Sequence, residues 1–407
     1  MRSLVNEARA ARHMAVVDEA TIEFNRAGVA GASLTTIARQ LGLTRAGLYN
    51  YCADRQDLVF QCYQRACALT LEDLRRAYQA PADGLDRLGV FLKQSVDILH
   101  RPVAVLSELA FLSDKQQVSI RQARAENVTL LKLLLTEGQK DGSIRSCDLD
   151  VVCQAIFGIL SWVPLSRLWN KRPDGTIAGR MAAAIPSMVM EGVVPQGGLL
   201  PDAHKRIADV IEKVNRSEKE ERLEALARVG SMLFNRRGID GVSLDDIALE
   251  LDATKGVLYH YFSSKPAFVA FCYERAFDIY DRIMDVAEAG STGLESTMVA
   301  IELDVEAQLT DIHPLWLTTG LGMFRPKIQE KLAARSTRLA TRSIELARRG
   351  VTDGSLRPFD LEPVKLAAPG SFTYLSAWLP QGNDQWAARV AREISRFLLL
   401  GLRQVRV

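Results

Sequence analysis

Hydrophobic residues recur at helical spacing along most of the chain, and two amphipathic stripes stand out because a glycine follows each. The clearer stripe consists of Leu223, Leu226, Ala227, Gly230, Leu233 and Phe234, and the weaker one of Val16, Val17, Ala20 and Phe24. Gly238 and Gly28 follow them, and glycine adopts the left-handed conformation that ends a helix at little cost. The pattern predicts an all-α protein with a helix before each glycine.

The two stripes belong to an internal repeat. Residues 24–66 and 234–276 stay in register without a gap, and the paired identities include Phe24/Phe234, Gly28/Gly238, Ile37/Ile247, Thr44/Thr254, Leu48/Leu258 and Tyr49/Tyr259. A fainter echo pairs residues 141–145 with residues 353–357, which read DGSIR and DGSLR. The repeat predicts two copies of one architecture in a single chain.

Domain boundaries follow from the repeat and from the Pro- and Gly-rich stretch between its copies. We expect small N-terminal domains at 1–66 and 217–276, larger helical domains at 67–194 and 277–407, and a linker at 195–216. Ser217 and Glu220 can form a capping box at the start of the second copy. Within the linker, Ala203 to Val214 has the periodicity of a helix.

Each small domain carries the signals of a helix-turn-helix. In the first copy, Ser33 can cap a short second helix, Gly42 can end it in the left-handed conformation, and Thr44 can cap a very short third helix. The matching positions of the second copy hold Ser243, Asp252 and Thr254. A single instance would be equally typical of an ordinary helical hairpin, but its recurrence with the same flanks favours DNA binding.

The third helix is the predicted recognition helix, with its N-terminal end in the major groove. Thr44 and Thr254 can donate to a phosphate, whereas Arg45 and Lys255 are long enough to reach a guanine edge. Small residues at Ala46, Gly47 and Gly256 allow close approach to DNA, and Val257 can touch a thymine methyl. The remaining predicted contacts are Thr35 to a base edge, Ser33 to a phosphate, and Ser243, Asn50 and His260 at the same surface.

These segments, residues 44–51 with Arg55 and residues 254–262 with Lys265, resemble the signature of the TetR family of transcription regulators. The resemblance implies that Arg55 and Lys265 pin the DNA backbone. It also implies that the hydroxyls of Tyr49, Tyr51, Tyr259 and Tyr261 hold phosphates. A helical ligand-binding and dimerisation domain should follow each headpiece, and a bound ligand should shift the spacing of the readers and release DNA, most often as a repressor.

Proteins of this kind usually carry one copy per chain and act as homodimers, so the sequence resembles a tandem fusion. We expect an intramolecular pseudo-dimer whose nonidentical headpieces read the two halves of an imperfect palindrome. Whether two such chains also form a homodimer stays open, because one apolar stripe near the C-terminus can pack within the chain or between chains. The stripe consists of Ile394, Phe397, Leu398 and Leu402. The alternative is an interaction protein, a decoy or antirepressor that no longer binds DNA.

Charge changes this picture only locally. The net charge of +2, from 51 Lys and Arg against 49 Asp and Glu, excludes a histone-like polycation. Residues 1–66 hold eight basic and six acidic residues, whereas residues 216–276 hold nine and ten. Asp245 and Asp246 of the second copy either favour the first turn of their helix through its dipole or weaken the attraction of that copy for phosphates.

Several apolar residues have two possible roles. Leu48, Leu258, Phe262 and Cys52 are predicted core residues, and one tyrosine of each pair can be packed rather than facing DNA. In the larger domains, aromatic residues and one methionine are candidates for lining a pocket for an apolar or acyl-type effector, although core packing explains each of them as well. They are Phe111, Phe157, Trp162, Trp169 and Met181 in the first copy, and Trp316, Phe324, Tyr374 and Trp378 in the second.

Other function classes find no support in the sequence. The chain has no Walker, GxSxG or HExxH motif, and its five histidines lack metal-ligand spacing, so we predict no enzyme, metal site or cofactor. No apolar run reaches the ~18 residues that a membrane span needs. The N-terminus lacks a signal-peptide pattern and the six cysteines form no CxxC pair, so we expect a cytoplasmic protein with reduced thiols.

Overall fold

A computed structural model describes residues 2–96, 101–169, 176–211, 218–252, 255–316, 323–373, 375–379 and 382–405. Within these ranges the chain is helical and has no strand, which confirms the predicted all-α class; Ile144 and Arg403 form an isolated β-bridge.

The helices up to residue 194, which we call the first half, are α1 Arg2–Gly31, α2 Leu34–Gln40, α3 Arg45–Leu48, α4 Arg55–Tyr78, α5 Gly84–Ser95, α6 Asp114–Asp141, α7 Leu149–Trp169 and α8 Thr176–Glu191. A connecting helix, α9 Ile207–Ile211, follows. The helices from residue 218 onward, the second half, are α10 Glu218–Arg237, α11 Leu244–Glu250, α12 Lys255–Tyr261, α13 Lys265–Glu288, α14 Gly293–Leu309, α15 Pro326–Thr352, α16 Leu361–Ala367, α17 Gly370–Thr373, α18 Leu375–Trp378 and α19 Asp384–Leu400.

The first headpiece consists of α1, α2, α3 and the start of α4. The apolar stripe of α1 packs onto α2 and α4, so that Val16, Ile37 and Leu58 share one buried cluster. Gly28 has φ +74° and kinks α1 near its end. The N–H of Val29, just after the kink, donates to Glu108 Oε1 at 2.8 Å instead of continuing the helical ladder. The headpiece is thereby tied to a segment far along the chain.

The second headpiece, built from α10, α11, α12 and the start of α13, has a more aromatic core. Phe234, Phe262 and Phe268 pack together, and the rings of Phe262 and Phe268 meet edge to face with centroids 4.9 Å apart. Helix α10 ends at Arg237 and Gly238 follows with φ +76°, as the sequence predicted. Aromatic side chains thus fill a core that Cys52 and smaller residues fill in the first headpiece.

Beyond the headpieces, both halves share one apolar core. Phe91 and Ile156 of the first half belong to the same buried cluster as Leu294 of the second. The C-terminal stripe lies in this cluster too, with Ile394, Phe397 and Leu402 at 0% exposure and Leu398 at 4%. Of the two packing options left open for that stripe, the structure shows the one within the chain.

Matching residues of the two halves make matching bonds across this core. Arg145 Nε donates to Gly401 O at 2.7 Å, and Arg357 Nε donates to Gly192 O at 3.0 Å. The backbone N–H of Arg145 donates to Leu402 O, and that of Arg357 donates to Val193 O, both at 2.9 Å. Residues at similar positions of the two halves thus make the same contact in both directions across the core.

The halves approach each other closely where α7 crosses α17. A Cβ on Gly158 would lie 2.0 Å from the carbonyl oxygen of Gly370, and a Cβ on Gly370 would lie 2.3 Å from that of Gly158. Both distances are far shorter than any real Cβ contact, so only glycine permits this crossing.

The linker differs from the sequence prediction. Its helix begins at Ile207 rather than at Ala203, and residues 212–217, which include Val214 and Ser217, lie outside the described ranges. The residues just before this helix contact α14. His204 Nδ1 lies 2.6 Å from Glu302 Oε2, and Arg206 Nε lies 3.1 Å from Glu306 Oε1. These two pairs satisfy buried carboxylates, which helical periodicity in the linker does not reveal.

Candidate nucleic-acid interface

The turns of both headpieces have the predicted conformation. Gly42 and Asp252 stand at matching positions with φ +65° and +49°, and the chain then enters α3 and α12. Leu48 and Leu258 are fully buried, as predicted, and anchor these short helices to the cores behind them. The first turns of α3 and α12 therefore face outward.

The predicted capping residues use their hydroxyls in different ways. Ser33 Oγ accepts the N–H of Thr36 at 3.1 Å, and Thr44 Oγ1 accepts the N–H of Gly47 at 3.0 Å. In both, the hydroxyl proton stays available to an outside acceptor. Ser243 Oγ likewise accepts the N–H of Asp246 at 3.1 Å, but its own proton is donated to Asp246 Oδ2 at 2.5 Å. Thr254 lies outside the described residues.

One tyrosine of each pair is exposed and the other is packed. Tyr49 and Tyr259 are 44% and 58% exposed. Tyr51 is half-buried and stacks on His13 with ring centroids 6.2 Å apart, while Tyr261 meets the edge of His260 at 4.9 Å. The structure thus shows one tyrosine of each pair on the surface and the other against a neighbouring ring.

The other predicted contacts surround the exposed tyrosines. In the first headpiece the exposed positions are Thr35, Arg45, Ala46 and Asn50, with Gly47 half-buried. In the second headpiece Gly256 and His260 are exposed and Val257 is half-buried; the side chain of Lys255 lies outside the described residues. Each headpiece therefore presents a polar, outward surface on α3 or α12.

The two basic residues beyond these helices are engaged with the protein. Arg55 Nη1 donates to Val29 O at 2.8 Å, so the start of α4 is bonded to the end of α1. Lys265 is half-buried, and loss of solvent lowers its pKa, opposed by the nearby carboxylates of Asp240 and Asp246. A phosphate bound here would add to these contacts or replace them.

The acidic pair of the second headpiece has a local structural role. Asp246 accepts the backbone N–H of Ser243 at 2.7 Å and its hydroxyl, which completes a capping box. These hydrogen bonds lower the pKa of Asp246. Asp246 therefore stabilises the first turn of α11 as a capping residue.

A cavity of about 70 Å³ lies in the first half between α4, α5, α6, α7 and residues 103–106, and Phe157 is among its lining residues. Trp378 lines an adjoining cavity of about 30 Å³. The other described candidates pack elsewhere: Phe111 against the first headpiece, Trp162 beside Trp316, and Met181 and Phe324 in buried cores. Tyr374 and the side chain of Trp169 lie outside the described residues. Apolar character alone did not separate cavity walls from core filling.

Sequence reasoning missed the two segments that join each headpiece to the rest of the chain. The Asn25 side chain donates to Val103 O at 2.8 Å and accepts the N–H of Val105 at 3.0 Å. Asn235 makes the same two bonds with Pro314 O and the N–H of Trp316. The repeated asparagine is visible in the aligned copies, but nothing in the sequence names its distant partners.

Two further features of the described ranges bear on function. No helix there is long and apolar enough to cross a membrane. No group of three or more His, Cys, Asp or Glu side chains in those ranges is arranged to hold a metal ion.

Two segments of the chain match family models of known proteins. Residues 227–270 match the model of bacterial regulatory proteins of the tetR family, and residues 81–193 match a tetracyclin repressor-like C-terminal domain. The HTH-type transcriptional repressor NemR of Escherichia coli (strain K12) is 28% identical over 88 residues, which cover 21% of this chain and 44% of NemR. The chain thus spans less than half the length of that relative.

Among solved structures, AibR in complex with isovaleryl coenzyme A and operator DNA is 23% identical, with 44% of this chain and 97% of AibR covered and a TM-score of 0.36. KstR2, a ketosteroid transcriptional regulator of Mycobacterium tuberculosis, is 19% identical, with 48% and 100% covered and a TM-score of 0.40. A segment of the second headpiece is thus similar to the N-terminal domain of tetR family proteins, and a segment of the first half is similar to their C-terminal domain.

Proposed function

We propose that this chain is a sequence-specific, DNA-binding transcriptional regulator whose two headpieces, residues 1–66 and 217–276, bind the two halves of one operator. The reciprocal bonds between Arg145 and Gly401 and between Arg357 and Gly192 carry the proposal. A helix-turn-helix protein needs two readers related by a two-fold axis, and homodimers usually supply them. Here the larger domains, 67–194 and 277–407, would pair within one chain, with 195–216 as the linker.

The two readers would recognise different half-sites. Arg45 and Asn50 occupy the positions at which the second headpiece has Lys255 and His260. Because side chains of different length and hydrogen-bonding pattern select different base edges, the preferred operator should be an imperfect palindrome.

Ligand response and repression belong to the same proposal. Residues 103–106 line the cavity of the first half, and Glu108, two residues further on, contacts the first headpiece at Val29. An occupant of the cavity would therefore press on a segment that holds a reader. If the occupied and empty states differ in affinity for DNA, ligand binding shifts the population away from the operator complex.

Gel shifts with DNA from upstream of the gene test the proposal. A hydrogen bond to a charged group is worth about 1.5–3 kcal/mol, so Tyr49→Phe and Tyr259→Phe should each weaken operator binding by about tenfold or more. Tyr78→Phe, at the far end of α4, is the matched control and should leave affinity unchanged. Light scattering should find one chain per operator. Unchanged affinity in both headpiece variants, or two chains per operator, would contradict the proposal.

A second candidate is a protein-interaction role without DNA binding. It is favoured by the acidic balance of residues 216–276 and by the internal use of the Ser243 hydroxyl. In that case no duplex would be shifted by the wild-type chain, and site selection from random DNA would enrich no sequence.

A further inference from the structure

The cavity of the first half contains an arginine without an acidic partner. Arg124, on α6, lines both the larger cavity and the smaller one beside it. Its guanidinium stacks on the ring of Trp378 at 3.6 Å from the centroid and lies 5.4 Å from that of Phe157. Nη2 donates to Gln154 Oε1 at 2.7 Å. Among the described residues, no carboxylate forms an ion pair with Arg124.

Placing a guanidinium in these surroundings is costly. Loss of solvent lowers the pKa of Arg124 to about 10, against an ordinary value of 12.5. Buried charges are normally paired, because attraction to a counter-charge is what offsets the lost hydration. One neutral amide and two aromatic faces offset it only in part, so the site is suited to receive an anion.

Two further polar atoms of the cavity wall lack partners in the described ranges. Asn127 is 3% exposed and lies one helical turn from Arg124, on the same face of α6. Its Nδ2 donates to Cys67 O at 3.1 Å, while its Oδ1 has no hydrogen-bond partner. Ser95 Oγ also lines the cavity without a partner. Since buried polar atoms are almost always bonded, these two atoms indicate a ligand with a hydrogen-bond donor.

The second half has no such site at the matching positions. The register that aligns Asp141 with Asp353 places Ser336 opposite Arg124 and Leu339 opposite Asn127. The register that aligns Tyr49 with Tyr259 places Phe277 and Tyr280, large and buried, opposite Cys67 and Thr70 of the cavity wall.

Three of the polar side chains there are hydrogen-bonded to one another. Trp316 Nε1 donates to Gln308 Oε1 at 3.1 Å, and Gln308 Nε2 donates to the Tyr280 hydroxyl at 2.6 Å. Bulky side chains and closed hydrogen bonds thus occupy the region that is open in the first half.

We propose that the first half alone carries an effector site for a small hydroxylated carboxylate, whose carboxylate pairs with Arg124 and whose hydroxyl donates to Asn127 Oδ1. The apolar body of the ligand would lie against Phe157 and residues 103–106, and Trp378 of the second half would hold the guanidinium in place. Ligand binding at this site does not depend on the proposed function. Only the effect of binding, which is release of DNA, rests on the proposed function. One effector would therefore control two readers.

Calorimetric titration of the full chain without DNA tests the site directly. The probes are 3-hydroxybutyrate, butyrate and butyramide, which differ in hydroxyl and in charge. We expect 3-hydroxybutyrate to bind most tightly, butyrate more weakly, and butyramide least. Arg124→Gln should weaken 3-hydroxybutyrate binding about tenfold or more, since a charged hydrogen bond is worth about 1.5–3 kcal/mol. Arg121→Gln, exposed and one turn earlier on α6, is the matched control.

Asn127→Leu, which copies the second half, provides an independent result in case Arg124→Gln does not fold. It should abolish the preference for 3-hydroxybutyrate over butyrate. The proposal is overturned if no probe binds, if butyramide binds as well as butyrate, or if neither variant changes binding. A gel shift without any probe tests DNA binding separately. Failure of ligand binding can therefore be distinguished from failure of DNA binding.

Discussion

At the scale of single residues, Glu108 connects the two headpieces. Its Oε1 accepts the N–H of Val29, and a Cβ on Gly238 of the other headpiece would lie 3.7 Å from its Cγ. Burial raises the pKa of Glu108, and the nearby carboxylate of Asp240 raises it further. The carboxylate thus lies between the turn that ends α10 and the kink of α1.

Glu108 should make stability depend on pH. Because its pKa is higher in the folded chain than in the unfolded one, the folded chain binds more protons between the two values, and the free energy of unfolding falls as pH rises through that interval. Glu108→Gln keeps an acceptor for Val29 and should flatten this dependence. Urea denaturation from about pH 4 to 8 measures it, with Glu126→Gln, exposed on α6, as the control. Identical slopes in both variants would refute the assignment.

At the scale of helices, glycine pairs set the crossing of neighbours. A Cβ on Gly84 would lie 2.3 Å from Gly138 Cα, and a Cβ on Gly293 would lie 2.0 Å from Gly350 N. The contacts join α5 to α6 in one half and α14 to α15 in the other. In both, the obstacle is backbone, which cannot rotate away as a side chain can.

Gly84→Ala should therefore destabilise the fold, because α5 and α6 must separate to admit a methyl group. Overpacking of this kind costs about 1–3 kcal/mol. Gly179→Ala on α8 is the matched control: no atom lies within 4 Å of its added Cβ, and alanine in a helix should stabilise by about 0.5–1 kcal/mol. Thermal melting should show shifts of opposite sign. Equal shifts would mean that the α5–α6 crossing tolerates widening.

At the scale of the whole molecule, the two halves are held by reciprocal arginines. Arg357 donates to Gly192 O and to Ser187 Oγ, the latter at 3.0 Å. Arg145 makes the matching contact with Gly401 and lies 3.8 Å from Glu393. Neither arginine can be lost without leaving a carbonyl of the other half without its donor.

Arg357→Ala should accordingly lower the free energy of unfolding by about 1–3 kcal/mol, the cost of an unsatisfied buried polar group. Arg348→Ala, in an exposed pair with Glu345, should change it by less than about 1 kcal/mol. Denaturation followed by circular dichroism compares the two. A small effect of Arg357→Ala would show that the apolar core alone holds the halves together.

The sequence alone determined the features that depend on short-range chemistry. Helical periodicity predicted the all-α class, the turn positions of Gly42 and Asp252 have the expected left-handed backbone, and Leu48 and Leu258 are buried as predicted. Each of these features depends on backbone sterics or on the spacing of apolar residues along a helix. A short stretch of sequence is therefore enough to predict them.

Only the tertiary structure placed the cavity beside Arg124 in the first half. Arg124 gave no signal in the sequence, because its surroundings depend on Trp378, on Gln154 and on the lack of an ion-pair partner among the described residues, all set by distant segments. The linker helix begins late for the same kind of reason, since His204 and Arg206 bind carboxylates of α14. Burial and pairing of charges are properties of the packed chain, and no local pattern encodes them.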